Sequence, residues 1–249
     1  MSDRLCPTTA DEVRDCVAWA VSANEPLEPV GLGSKRGIGR PVQASRVLDL
    51  SGLSGIVSYE PEELVLTVRA GTPVAEVTAA LRDAGQELAF EPMDYSVLLG
   101  SDGGPGTVGG MLAANLSGPR RIKAGAARDH VLGIEAVSGR GEIFKAGGRV
   151  VKNVTGYDLA RGLAGSWGTL AVFTEMTFKV LPVGEAVATV RVVGLDDETA
   201  VRAMAAALGS PADVSGAAHL PAEVAARLDS AGSGSAPATL LRLEGFAPS

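Results

Sequence analysis

The segment GPGTVGGMLAANLSGPRR, residues 104–121, is built from small residues and ends on two arginines. From Gly103 through Arg128 there is no Asp or Glu, although the 249-residue chain carries a formal net charge of −7. The pattern predicts a helix starting at Thr107, whose orphan N–H groups and positive dipole end would face an anion. Gly109 and Gly110 would let a flat, bulky ligand approach the backbone. Ala113, Ala114, Ser117 and Gly118 would continue that smooth wall, and the Asn115 amide can both donate and accept. A carboxylate beside a diphosphate would weaken binding by like-charge repulsion in a partly dry site, so the clearing of acids is expected there. Arg120, Arg121, Lys123 and Arg128 are then read in two ways, as balancing ligand charge or as a solvated basic turn.

A second glycine-rich loop, PVGLGSKRGIGRP, occupies residues 29–41. It is not a Rossmann fingerprint: Gly31, Gly33 and Gly37 are spaced G-x-G-x-x-x-G, and Pro41 breaks any helix that would follow. It is not a Walker loop either, because Lys35 follows Ser34 instead of preceding a Ser or Thr after glycine. What remains is a run of backbone N–H groups, freed of Cβ crowding at Gly31 and Gly33, that can form an anion-binding concavity. The Ser34 hydroxyl and Lys35 add a donor and a charge, and a diphosphate suits that set. A third loop, GSWGTLAVFTE at 165–175, places Gly165, Gly168 and Thr169 just ahead of an expected strand, positioned for backbone contacts to a ring system.

The bulk composition narrows the alternatives. A hydrophobic content of 46% in 249 residues is ample for a packed core. The sequence pI near 5.0 argues against nucleic acid as a partner, because phosphate backbones reward a basic face. Cys6 and Cys16 form no CxxC pair and have no nearby His, so free thiols and no metal site are expected. The early acids of MSDRLCPTTADEVRDC and the absence of an eighteen-residue apolar run predict neither a secretion signal nor a membrane span, and hence a cytoplasmic protein.

Periodicity predicts a helix at 11–22, a strand in ELVLTVRAG (63–71) and a helix in TPVAEVTAALRDAG (72–85) with Val74, Val77 and Leu81 on one face. VLGIEAVSGRGEIFKAGG (131–148) reads as two strands about a glycine turn, and TLAVFTEMTFKVLP (169–182) as a long strand ended by Pro182. After Pro182 the pattern changes to strand (186–194), helix (196–209), strand (213–221) and strand (238–246). LDSAGSGSAPA (228–238) reads as a flexible loop within that piece. An α+β chain results, with a domain at 1–182, in lobes of about 1–50 and 51–182, and a smaller one at 183–249.

PVGLGSKRGIG, GTVGGMLAANLSGPRR, GAARDHVLGIEAVSGRGEIFKAGG, KNVTGYDLARGLAGSWGTL and KVLP occur in the order found in flavoproteins of the vanillyl-alcohol oxidase and p-cresol methylhydroxylase type. Over residues 25–185 the chain resembles that family. LSGPRR followed by GGRVVKNVTGYDLARGLAGSWGTL is most similar to its bacterial glycolate oxidase E-subunit branch. The resemblance implies a two-lobed FAD-binding fold of p-cresol methylhydroxylase type, followed here by a partial ferredoxin-like cap. It implies that Val30, Gly31, Leu32, Gly33, Ser34 and Lys35 hold the FAD diphosphate. Thr107, Gly109, Gly110, Asn115, Ser117 and Gly118 would line the cofactor's length, and Gly168, Thr169 and Val172 would close it. Asp129 and Tyr157 match family positions, and Ala171 stands where the family usually has glycine.

With His130 and His219 the only histidines, and neither in the first loop, the resemblance implies noncovalent FAD. It further implies oxidation of a small 2-hydroxy acid, glycolate to glyoxylate, in a complex with a homologous FAD subunit and an iron–sulfur subunit that would bring the chain to the inner membrane without a span of its own. No residue is identified as the catalytic base. A non-catalytic flavin-carrying relay or scaffold subunit, and an NADPH-dependent reductase on the same fold, are the alternatives, and His219 is weighed as a group reaching the flavin from the cap.

Overall fold

The computed structural model describes residues 3–149, 156–228 and 236–246. In chain order the strands are β1 (Asp3–Leu5), β2 (Leu27–Val30), β3 (Arg46–Asp49), β4 (Ile56–Glu60), β5 (Val65–Arg69), β6 (Gln86–Glu87), β7 (Val131–Ser138), β8 (Ile143–Gly147), β9 (Ala171–Lys179), β10 (Leu181–Pro182), β11 (Ala186–Val193), β12 (Val214–Leu220) and β13 (Ala238–Gly245). The helices are α1 (Ala10–Ala23), α2 (Val74–Asp83), α3 (Ser96–Leu99), α4 (Val108–Ala114), α5 (Arg121–Ala124), α6 (Ala127–His130), α7 (Leu159–Leu163), α8 (Asp197–Leu208) and α9 (Ala222–Leu228).

Two compact units follow, one formed by residues 1–118 and 126–182, the other by 119–125 and 183–249. In the first, an antiparallel sheet of order β4-β5-β9-β7-β8 carries the main core, with Leu66, Phe90, Leu112, Met176 and Phe178 fully buried. The β-branched and aromatic run of β9 places it at the centre of that sheet, where both faces are covered. The β7–β8 hairpin pairs Val137 with Ile143 around a turn in which Gly141 takes φ +73. A second cluster, of Val13, Val17, Leu48, Leu53, Val137 and Val172, packs α1 between this sheet and a small parallel sheet of order β1-β3-β2.

Helix α1 starts where the Thr9 hydroxyl accepts from the Glu12 amide at 3.2 Å and the Glu12 carboxylate accepts from the Thr8 amide at 2.6 Å. It ends at Asn24, left-handed at φ 55, whose amide returns to Ala20 and Val21. The stop is therefore the Asn24 cap, two residues ahead of Pro26 and just beyond the expected helix of 11–22. Helix α2 buries Val74, Val77 and Leu81 as its spacing predicts. Strands β1 to β4 have no counterpart in the sequence reading, because they are three to five residues long and β2 carries Pro29.

In the second unit the sheet order is β11-β13-β12, all antiparallel, with α8 packed on β12. Helix α9 has no counterpart in the sequence reading and meets the expected loop of 228–238 only at Leu228; residues 229–235 of that loop lie outside the described residues. The segment 119–125, expected within the first domain, belongs to this unit, because α5 packs on β12 and Arg120 donates to Glu244 at 2.7 Å.

Candidate functional site

Strand β2 delivers Val30 into the 31–35 loop, where Gly33 adopts φ +72, a conformation that glycine takes without strain. The turn is closed by Arg36 N–H donating to Gly33 O at 3.2 Å and Ile38 N–H to Lys35 O at 3.0 Å. Among the described residues, the amides of Leu32, Gly33, Ser34 and Lys35 donate to no protein acceptor, so a row of N–H groups is available to an anion. The Arg36 guanidinium is held by both oxygens of Glu28, at 2.6 and 2.8 Å.

Residues 103–107 close on that loop. A Cβ added at Gly103 would lie 2.7 Å from Leu32 O and 2.9 Å from Ser34 N, and one at Gly106 would overlap the Ser34 hydroxyl. Lys35 Nζ donates to Pro105 O and to Ser34 Oγ, both at 3.1 Å, and Ser101 Oγ donates to Ser34 O at 3.2 Å. Burial pushes the Lys35 ammonium below the ordinary lysine value, with Asp94 partly opposing the shift. A half-buried cation beside unpaired amides fits a doubly charged phosphate group.

Helix α4 starts at Thr107 as its sequence predicts, with the Thr107 hydroxyl accepting from Gly110 N at 3.3 Å. The expectation that its N-terminus faces an anion is corrected. Val108 N–H donates to Thr72 O at 2.9 Å and Gly109 N–H to Ala70 O at 2.8 Å, so these amides are already spent on the backbone between β5 and α2. Gly109 serves close packing instead: a Cβ there would press within 2.9 Å of Ala70. Gly110 has open space beyond Thr107. The third loop caps the other end of α4, through Gly165 N–H to Leu112 O at 3.1 Å and Trp167 N–H to Ala113 O at 2.9 Å.

Three cavities adjoin along these loops, of about 360, 60 and 480 Å³, and each has Pro29 and Gly168 in its wall. The largest two lie within the range of ligand sites, roughly 300 to 1,000 Å³. Val30, Gly31, Leu32, Gly33, Ser34, Lys35, Thr107, Gly110 and Thr169 line the 360 Å³ cavity. Gly109 and Val172 join at the 60 Å³ neck, and Val172 and Thr169 continue into the 480 Å³ cavity. Ala171, the departure from glycine, is buried and borders both of the last two.

Three residues expected to line the site stand outside these walls. The Asn115 side chain accepts from Arg128 N–H at 2.9 Å, and Gly118 donates to Phe90 O at 3.0 Å beside Glu91 and Met93. Ser117 lies between them in the chain and in no cavity wall. The basic cluster is also reassigned: Arg120 and Lys123 are held by Glu244 and Asp213 of the second unit, at 2.7 and 2.9 Å. Asp129 accepts from Ala126 N–H at 2.9 Å and Tyr157 is exposed. His219 is engaged within its own unit, Nδ1 at 2.9 Å from Thr239 Oγ1 and Nε2 at 3.3 Å from Asp197. The KNVT stretch of the fourth motif, residues 152–155, lies outside the described residues.

Sequence reasoning missed the far wall of the 480 Å³ cavity, made by Val17, Ala20, Val21, Asn24 and Glu25 at the end of α1 and by Val137, Ser138 and Gly139 of the hairpin. Their apolar spacing is the same signal that a core face gives; only the Asn24–Glu25–Pro26 break hinted at a surface there. Among the described residues no cluster of His, Cys, Asp or Glu could hold a metal ion, and no helix is long and apolar enough to cross a membrane.

Comparison with known proteins places the chain among FAD-linked proteins. The chain is 47% identical over 166 residues to the glycolate oxidase subunit GlcE of Escherichia coli (strain K12), covering 67% of this chain and 45% of that protein. It is 32% identical to the glycolate oxidase subunit GlcD of Bacillus subtilis (strain 168) over 179 residues, 72% of this chain and 36% of that one. It is likewise 32% identical to a D-2-hydroxyglutarate dehydrogenase of Xanthomonas citri pv. viticola, over 70% of this chain and 35% of that enzyme. The chain thus spans less than half the length of these relatives. Among solved structures, an alkyldihydroxyacetonephosphate synthase superposes with a TM-score of 0.76 at 20% identity, covering 98% of this chain and 48% of that one, which shows a shared fold. Residues 4–147 match the family described as the FAD binding domain, and with more than half of its length inside that match, the chain belongs to the FAD-binding domain family.

Proposed function

We propose that the chain binds FAD noncovalently and is the FAD-binding portion of an oxidoreductase subunit acting on glycolate or a similar 2-hydroxy acid. The observation that carries the reading is the convergence of the 31–35 and 103–107 loops, with four unspent amides and the half-buried Lys35 at one end of three adjoining cavities. Those residues fit a dinucleotide: amides and ammonium for the diphosphate, and glycine-lined walls at Gly110 and Gly168 for flat groups. In this reading Gly31, Leu32, Gly33, Ser34 and Lys35 hold the diphosphate. Thr107, Gly110, Gly168, Thr169 and Val172 border the rest, and the 480 Å³ cavity receives the adenosine end.

Bound FAD would supply hydride-accepting chemistry, and the chain's task is to hold and orient it and to keep water from the loops. The substrate class rests on the names of the relatives, two glycolate oxidase subunits and a 2-hydroxy acid dehydrogenase. By the same analogy the chain works in a cytoplasmic complex with a homologous FAD subunit and an iron–sulfur subunit, placed at the inner membrane by those partners. Residues 1–182 would form the FAD-binding domain and 183–249 part of a cap. Among the described residues, the titratable groups on the cavity walls are Lys35, which suits a diphosphate, Arg36 and Glu28, which pair with each other, and Glu25; none is a histidine, which favours as second reading a subunit that carries flavin for a partner's substrate chemistry.

The test is a visible absorption spectrum of the purified chain after FAD addition and gel filtration, followed by acid precipitation. Retained flavin that is released into the acid supernatant supports the reading. Failure to retain flavin overturns it, and flavin that stays with the precipitate overturns the noncovalent part. Anaerobic bleaching by glycolate in the isolated chain would remove the carrier reading.

A further inference from the structure

The two large cavities differ in sign. Among the described residues, the 360 Å³ cavity has Lys35, Arg36 and Glu28 in its wall; Glu28 neutralises Arg36, so Lys35 and the free amides of the 31–35 loop leave it net positive. The 480 Å³ cavity has one charged residue among the described residues of its wall, Glu25. Glu25 is half-buried and its position is fixed by α1: its own amide donates to Ala20 O at 2.9 Å, directly after the left-handed Asn24 cap. A second source of negative potential is independent of that carboxylate. Fourteen-residue α1 ends on this wall at Ala20, Val21 and Asn24, and its last turn has no basic residue to offset the negative end of the dipole.

We infer that Glu25, with the C-terminus of α1, makes this cavity selective for an unphosphorylated nucleoside and excludes a ribose carrying a 2′-phosphate. The inference rests on the proposed placement of adenosine there. A carboxylate can accept hydrogen bonds from ribose hydroxyls, while a phosphate in the same place meets a like charge in a partly desolvated site. The cleft would therefore accept FAD and reject nucleotides of the NADPH type, although both contain a diphosphate that the 31–35 loop could hold.

ADP-ribose and 2′-phospho-ADP-ribose differ by that one phosphate, which makes them the probes. Each is titrated against the FAD-loaded chain, and flavin release is followed by fluorescence. ADP-ribose is expected to displace FAD at least about tenfold more effectively, a gap that corresponds to one unfavourable charge contact. The gap should narrow in Glu25→Gln and at high ionic strength, where Coulomb repulsion is screened. Equal displacement by the two probes, or a gap unaltered in Glu25→Gln and by salt, overturns the inference while leaving FAD binding intact. Displacement by neither probe from a chain that holds FAD also overturns it. A chain that holds no FAD overturns the proposed function as well.

Discussion

Gly31 lies so close against Thr107 that a Cβ at Gly31 would overlap the threonine hydroxyl and approach its Cγ2 to 2.7 Å. Thr107 is also the cap of α4, so this contact joins the start of that helix to a loop 76 positions earlier. Gly31→Ala is expected to lower stability by about 1–3 kcal/mol, the range for forcing a methyl into a packed site. It should also weaken FAD binding by displacing the amides of residues 32–35. Thermal unfolding with a parallel FAD titration checks this; an unaltered variant in both would show the contact to be dispensable.

Thr107→Ser keeps a hydroxyl at the helix cap and Thr107→Val removes it. The valine variant is expected to lose about 1 kcal/mol relative to the serine one, the usual contribution of such a cap. Chemical denaturation of both beside the unaltered chain separates the hydrogen bond from shape, because valine keeps the threonine outline without the hydroxyl and serine keeps the hydroxyl without the methyl that faces Gly31.

Lys35 gives the site a pH dependence. Burial holds its ammonium below the ordinary value of 10.5 in the free protein, and a bound diphosphate would restore the charged form. The complex then holds the proton more tightly, so FAD affinity is level below the free-protein value and falls as pH rises through it, earlier than an unperturbed lysine would allow. Without ligand the sign reverses. Unfolding relieves the buried charge, so stability increases as pH rises through the lowered value. Lys35→Met should weaken FAD binding by about tenfold or more and flatten the alkaline dependence, as expected for a lost charge-assisted contact. Fluorescence titrations between neutral and alkaline pH read both effects.

The Arg120–Glu244 pair, with side chains only 13% and 11% exposed, ties segment 119–125 to β13. Arg120→Gln leaves Glu244 with a weakened partner set in a nearly dry place and should cost about 3 kcal/mol. FAD affinity should change by less than about threefold, well under the tenfold that a lost ligand charge would cost. A large loss of FAD affinity with unaltered unfolding would return Arg120 to the role of ligand counter-charge.

The contrast between these residues shows what the sequence could and could not convey. Glycine clustering exposed both loops, because backbone amides need no side chain to act and only glycine permits such close approach. The hairpin of β7 and β8 and the single face of α2 were legible from local periodicity. The β1-β3-β2 sheet was not, since its strands are short and pair in parallel across distant segments. The N-terminus of α4 was misread because the carbonyls of Ala70 and Thr72 that consume its amides lie more than 35 residues earlier. For Arg120 and Lys123 the sequence left two readings open for a similar reason: Glu244 and Asp213, which hold them, are 124 and 90 positions away. Asn115 and Gly118 looked like wall residues, yet they fix α6 and the chain after Phe90.

The central claim is that the amides after Gly31 and the glycines around Thr107 receive one FAD diphosphate, and backbone amide NMR of the ¹⁵N-labelled chain tests it most directly. Titration with FAD should shift or broaden the signals of Leu32, Gly33, Ser34 and Lys35 together with Gly106 and Gly110, and leave the β12 and β13 amides near their free positions. Saturable FAD binding that leaves residues 32–35 unmoved would contradict the account.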